Sequence, residues 1–143
     1  MYIVTSLVAG EHSNEINSVC LWEPASVLVD NCEKGILMDA KVDLNNIPDE
    51  IPVFGGQFVV GKAFFKDALG LDIYGIASKY DKHVLVIHGD NDQIVPLSYA
   101  KKYKQVYNNA DLAIIAGGEH VNKDKTLDKM VDMTTTMFVE ENK

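Results

Sequence analysis

An α/β fold built on a parallel sheet follows from three features of this 143-residue chain. Short apolar runs, His83-Val84-Leu85-Val86-Ile87 and Ala110-Asp111-Leu112-Ala113-Ile114-Ile115-Ala116, alternate with stretches of helical periodicity. The first run is β-branched and continuous, as expected of a strand buried on both faces. Both runs stop at glycine and pass into polar turns, Gly89-Asp90-Asn91-Asp92 and Gly117-Gly118-Glu119-His120. Strands alternating with helices imply a parallel sheet covered on both sides, with the loops at the strands' carboxyl ends lining a crevice.

In order along the chain, the spacing predicts a helix over Met1 to His12. Ile3, Val4, Leu7 and Val8 form its apolar stripe, and Gly10 falls near its end. No Ser, Thr, Asp or Asn stands before Tyr2, so this helical pattern lacks a start signal. Ile16 to Trp22 reads as a short strand ended by Glu23-Pro24. From Ala25 to Gly70 the periodicity dissolves. Pro48, Pro52, Gly55-Gly56 and Gly61 punctuate apolar bursts at Val27-Leu28-Val29, Val53-Phe54, Phe58-Val59-Val60 and Phe64-Phe65. A structureless stretch of this length is uncommon in a compact domain. The segment is expected to be a lid inserted between core elements, helical around Lys62 to Leu69.

Ile73 to Tyr80 predicts a short helix leading into the strand at His83. After the turn, Ile94 and Val95 are expected to return to the core. Pro96 then opens a helix over Leu97 to Tyr107, at a position where a missing N–H does no harm. Asn108-Asn109 suits the left-handed geometry that ends a helix. From Lys123 onward, Leu127, Met130, Val131, Thr134, Met137 and Phe138 recur at steps of three and four, the clearest amphipathic helix in the chain.

Composition bounds the function. The chain suits one domain, and 47% hydrophobic with 24% charged residues is a globular composition. A net charge of −8 argues against a nucleic-acid groove or an anionic membrane surface, both of which want a basic patch. No apolar run approaches the roughly 18 residues of a spanning helix. No basic region precedes the first apolar residues, so a secretory signal is not expected and a cytoplasmic location is. Cys20 and Cys32 are expected to be reduced. His12, His83, His88 and His120 show no ligand spacing, so no metal is expected.

The two glycine-marked loops are the candidates for chemistry. They follow successive parallel strands about 4.8 Å apart, which can bring an aspartate of one beside the histidine of the other. An Asp accepting a hydrogen bond from His Nδ1–H fixes the tautomer and stabilises the imidazolium. Asp92 and His120 are the favoured pair, with Asp90 the other candidate acid. His88 is expected to support the turn. Ser6 and Ser13 lie in no glycine elbow and are poor nucleophiles, and Ser26, after Pro24-Ala25 at a strand end, is expected to be a turn residue. Lys101, Lys102 and Lys104 form a solvated helix face.

These residues resemble a known family. His88-Gly89-Asp90-Asn91-Asp92-Gln93-Ile94-Val95-Pro96 is similar to the acid loop of α/β-hydrolases, in which the second aspartate is the triad acid. Gly117-Gly118-Glu119-His120 is similar to the loop that presents the triad histidine. Asn46-Ile47-Pro48-Asp49-Glu50 followed by Phe54-Gly55-Gly56 resembles the insertion of bacterial cinnamoyl/feruloyl esterases. Ala9-Gly10-Glu11-His12 and Leu21-Trp22-Glu23-Pro24-Ala25 fit the same subgroup. The resemblance implies a partial α/β-hydrolase fold over residues 1–143, with the C-terminal parallel strands, their flanking helices and a lid at about 25–70. It implies a serine esterase acting on cinnamoyl, feruloyl or small acyl esters, with Asp92 and His120 catalytic and no cofactor. Phe54 and Phe58 are the expected substrate-binding residues, with Phe54 placed to pack on an aromatic acyl group.

One departure shapes the functional expectation. The family's nucleophile sits in Gly-x-Ser-x-Gly, a strand-to-helix turn that also supplies an oxyanion-hole donor. No such motif occurs here. In the family that turn precedes the helix matching Met1 to His12. The chain is therefore expected to be the C-terminal half of a hydrolase, inactive alone. The competing expectations are a non-catalytic fragment that forms a homo-oligomer through the open edge of the Ile16–Trp22 strand, and a small-molecule-binding module.

Overall fold

The computed structural model describes residues 3–141 and 143. The element order is α1 (Ile3–Glu11), β1 (Val19–Trp22), α2 (Val27–Glu33), β2 (Ile36–Leu37), β3 (Ala40–Lys41), β4 (Glu50–Val53) and β5 (Phe58–Gly61). It continues through α3 (Lys62–Ala68), α4 (Ile73–Ala77), β6 (Val84–Gly89), α5 (Leu97–Val106), β7 (Ala110–Ile115) and α6 (Asp124–Glu141). Two compact units result: Ser26–Asp72, and the remainder of the chain on either side of it.

The discontinuous unit holds a parallel sheet in the order β1-β6-β7. All six residues of β6 are buried, as the unbroken apolar run requires of a central strand. In register, Val19 faces Val84 and Trp22 faces Ile87 on one side. On the other, Val84 faces Ala110 and Gly89 faces Ile115. On one sheet face Leu85, Ile87 and Ile115 pack against Met130 and Met137 of α6, flanked by Cys20, Trp22 and Ala113. Each such buried side chain contributes about 1.5–3 kcal/mol over exposure. Trp22 Nε1–H donates to Thr134 Oγ1 at 2.8 Å, tying β1 to α6.

Strand alternation turns Val84, Val86 and His88 to the other face. There the buried Ser6 of α1 and Tyr103 of α5 share a hydrogen bond of 3.1 Å. Helices α1 and α4 meet at Gly10, where a Cβ would lie 2.7 Å from the carbonyl carbon of Ile76. Only glycine admits that approach, which accounts for a glycine inside a helix that would otherwise prefer alanine.

The expected helix at the start of the chain is present from Ile3. Met1 and Tyr2, its first expected residues, lie outside the described residues. The first strand is shorter than expected and begins at Val19. Ile16 instead offers its carbonyl to Lys82 Nζ at 2.6 Å. Ile94 does not return to the core: it is 63% exposed, and Val95 alone is buried.

The unit Ser26–Asp72 has its own core of Cys32, Leu37, Val42, Ile47, Ile51, Val53, Phe65 and Ala68. Its strands form two antiparallel pairs, β2 with β3 and β4 with β5. Val27-Leu28-Val29, a strand-like burst by composition, is helical. Burial of Val29 and Cys32 at a three-residue spacing overrides local propensity. The turn between β4 and β5 runs through Phe54, Gly55 and Gly56, all in the left-handed region. The Phe54 and Gly55 N–H groups both donate to the Asp39 carboxylate. Cys20 and Cys32 are free thiols, and no described helix is long and apolar enough to cross a membrane.

Candidate active site

Because β1, β6 and β7 are parallel, the chain leaves all three at one edge of the sheet. Glu23 follows β1, Asp90 to Asp92 follow β6, and Gly117 to Asn122 follow β7. The last two loops are pinned together by backbone. Asp90 N–H donates to the Ile115 carbonyl at 3.1 Å and Asn91 N–H to the Gly118 carbonyl at 2.9 Å. Asp90 Oδ1 accepts the Gly117 N–H at 2.7 Å. Asp90 thus braces the neighbouring loop and does not meet the histidine.

Asp92 does. Its Oδ2 lies 2.9 Å from His120 Nδ1, while its Oδ1 accepts the N–H groups of Ile94 and Val95, each at 2.8 Å. Burial raises the Asp92 pKa. The Val95 N–H, the His120 ring and the Ile94 N–H together outweigh it and hold the carboxyl below its ordinary value. Asp92 is therefore an anion at neutral pH and can only accept, so Nδ1–H of His120 is the donor. That leaves Nε2 as the free, basic nitrogen of a partly exposed ring.

His88 is fully buried and donates Nε2–H to the Val95 carbonyl at 2.8 Å, with Asp92 Oδ2 at 3.4 Å. Burial pushes its pKa down, so the ring is neutral. It props the Asp92 turn, as the sequence suggested.

A third carboxylate joins the pair. Glu23 is 3% exposed, and its Oε1 accepts a hydrogen bond from Asn122 Nδ2. Ligating atoms of Glu23, Asp92 and His120 all lie within 4.8 Å of one another, a grouping no residue spacing could show. Both Asp92 oxygens accept hydrogen bonds within this cluster and its turn. Sequence reasoning missed Glu23 and Asn122. The one available signal was the position of Glu23 at the carboxyl end of a parallel strand.

Phe54 and Phe58 stand in the Ser26–Asp72 unit, 52% and 63% exposed, with ring centroids 6.0 Å apart and planes at 86°. They form an edge-to-face aromatic pair on the surface of their own unit.

The architecture has close counterparts. Est1E from Butyrivibrio proteoclasticus superposes with a TM-score of 0.86 at 25% identity, over 99% of this chain and 58% of Est1E. A second Est1E structure, with ferulic acid bound, matches with the same score over 56% of its length. The fold is a partial α/β-hydrolase fold. Mouse alpha/beta hydrolase domain-containing protein 10 shares it at a TM-score of 0.67 and 15% identity, over 98% of this chain and 58% of that protein. By sequence, the non-heme chloroperoxidase CPO-A1 of Kitasatospora aureofaciens is 36% identical over 66 residues, which is 45% of this chain and 24% of that enzyme. No family model matches the chain. It spans little more than half the length of the Est1E structures.

Proposed function

We propose that this α/β-hydrolase chain carries the acid–base half of a serine carboxylic-ester hydrolase for cinnamoyl, feruloyl or small acyl esters. The 2.9 Å contact between Asp92 Oδ2 and His120 Nδ1 at neighbouring strand tips carries the reading. With Nδ1–H given to Asp92, Nε2 accepts the proton of an attacking serine hydroxyl. The imidazolium then returns that proton to the departing alcohol, and a water activated by the same nitrogen releases the acyl group. The likeness to Est1E with ferulic acid bound supports an aromatic acyl group. Phe54 and Phe58 are the aromatic surfaces proposed to take it, with Ser26–Asp72 acting as a lid.

The nucleophile belongs to residues other than these, since no Gly-x-Ser-x-Gly occurs among them. The 143-residue chain is expected to leave p-nitrophenyl esters at the background rate. A chimera joining the unmatched N-terminal part of Est1E to residues 3–143 is expected to hydrolyse methyl ferulate. Substituting His120→Ala should cost that chimera at least about a thousandfold. A chimera indifferent to His120 would refute the assignment.

A second reading is non-catalytic self-association. Among the described residues β1 pairs only with β6, and the exposed Val4, Val8 and Phe138 line a recess of about 360 Å³ beside it, together with Val19 and Cys20. An open sheet edge flanked by apolar side chains invites a second copy. Sedimentation should show dimers or larger species at tens of micromolar, a range where such edges associate; a stable monomer there removes this reading.

A further inference from the structure

We propose that Glu23 is a positioning residue of the Asp92–His120 pair: it anchors the histidine loop through Asn122 and sets a second carboxylate beside the imidazole. The inference rests on reading that pair as acid and base. Glu23 leaves β1 with its backbone in the left-handed region, φ 46°, a conformation side-chain-bearing residues adopt only when their surroundings enforce it. Its N–H donates to the Ile87 carbonyl at 2.8 Å, fixing its backbone to the strand that leads to Asp92. Its carboxylate accepts from Asn122 Nδ2, and that nitrogen also donates to the Glu119 carbonyl at 2.6 Å. Residues on both sides of His120 are thus tied to one buried side chain.

A buried carboxylate is costly unless its charge is used or suppressed. The groups facing Glu23 are Asp92 and His120, with the neutral His88 against Asp92. Burial and then the Asp92 charge push Glu23 up to about 7, with Asn122 pulling it down. Two carboxylates this close resist ionising together. Near neutral pH Glu23 is therefore balanced between its protonated and ionised forms. The imidazolium formed when His120 takes a proton favours release of the Glu23 proton, and a second negative charge then accompanies the positive one.

Carboxyl-carbon NMR on the whole chain tests this without turnover, with the Glu23 signal assigned from Glu23→Gln. Its midpoint should lie near 7 in the wild type. Asp92→Asn should lower it by about one unit, the size of a close charge partly screened by solvent, and Asn122→Ala should raise it. Glu23→Gln keeps an acceptor for Asn122 and should preserve the downfield Nδ1–H signal of His120, whereas Glu23→Ala should lose it. A midpoint in the ordinary glutamate range, or one indifferent to Asp92→Asn, overturns the proposal while leaving the pair intact. A wild-type chain with no downfield His120 signal removes the pair itself, and the proposal with it.

Discussion

Gly89 and Gly118 touch backbone to backbone: a Cβ built on either would lie 2.8 Å from the Cα of the other. This contact closes the tips of β6 and β7 and sets the spacing between the loops bearing Asp92 and His120. Gly89→Ala must push the loops apart. It is expected to cost about 1–3 kcal/mol, the range for overpacking a well-packed site, and to abolish the downfield His120 Nδ1–H signal. Urea unfolding and proton NMR check both. An alanine variant as stable as the wild type would mean the tips give way freely.

Asp92 serves two masters, and substitutions separate them. Asp92→Asn keeps an oxygen for the Ile94 and Val95 N–H groups, so the fold should lose no more than about 1 kcal/mol. His120 loses its oriented partner, and the chimeric esterase is expected to fall about ten-thousandfold in kcat, the measured scale for removing a triad acid's charge. Asp92→Ala strips the acceptor from both N–H groups and should cost a further 1–3 kcal/mol, roughly, in unfolding. Equal stabilities for the two variants would show that the turn does not depend on the Asp92 oxygens.

The parallel order of the strands and the pairing of Asp92 with His120 were legible because each loop begins at a glycine after an unbroken apolar run. Glu23 was not legible. Its chemistry comes from the lateral order β1-β6-β7, which brings together residues far apart along the chain. Ile94 misled because apolarity alone does not say which of two adjacent residues turns inward. Here the Asp92 carboxylate binds both N–H groups, and only the Val95 side chain is carried into the core. The helix at Val27 was hidden because its stripe is completed by Cys32, which three-residue burial identifies and composition does not.

Stability should carry the signature of Glu23. Its folded-state pKa of about 7 lies above the ordinary glutamate value, so the folded state binds the proton more tightly than the unfolded one. The contribution is fully present below about pH 4.3 and fades as pH rises through 7. Its size is about 1–3 kcal/mol after allowing for solvent nearby. His88 opposes it below neutrality, because burial lowers its pKa and the fold loses stability as pH falls under about 6.5. Glu23→Gln removes the first effect alone. The variant should gain on the wild type as pH rises from about 5 to about 7 and the gain should level off above that in thermal melts, and parallel curves would contradict the assignment.

Thr134 couples the single tryptophan to the last helix. Its Oγ1 accepts from Trp22 Nε1 at 2.8 Å, donates to the Met130 carbonyl at 2.7 Å and lies 3.4 Å from the Cys20 thiol. Thr134→Val keeps the shape and leaves the indole N–H without its acceptor. The expected cost is about 1–3 kcal/mol, with a shift of the indole N–H resonance and of the tryptophan emission. Unchanged fluorescence and stability would show that the indole finds another acceptor.

The aromatic pair at Phe54 and Phe58 supplies the last test. Large apolar rings are exposed together on a turn whose left-handed residues are held by Asp39, and bonds from the Gly55 and Phe54 N–H groups keep that carboxyl below its ordinary pKa. An edge-to-face pair leaves ring faces free for a planar ligand, and one aromatic contact is worth about 0.5–1.5 kcal/mol beyond area burial. Ferulate is therefore expected to perturb the Phe54 and Phe58 ring signals on titration, while acetate should not. Phe54→Ala should weaken ferulate binding about twofold to tenfold, the equivalent of one such contact. Asp39→Ala, which frees the turn without removing a ring, should weaken it less. Ferulate binding that is indifferent to both phenylalanines would take them out of the substrate site and leave the acyl specificity to residues outside this turn.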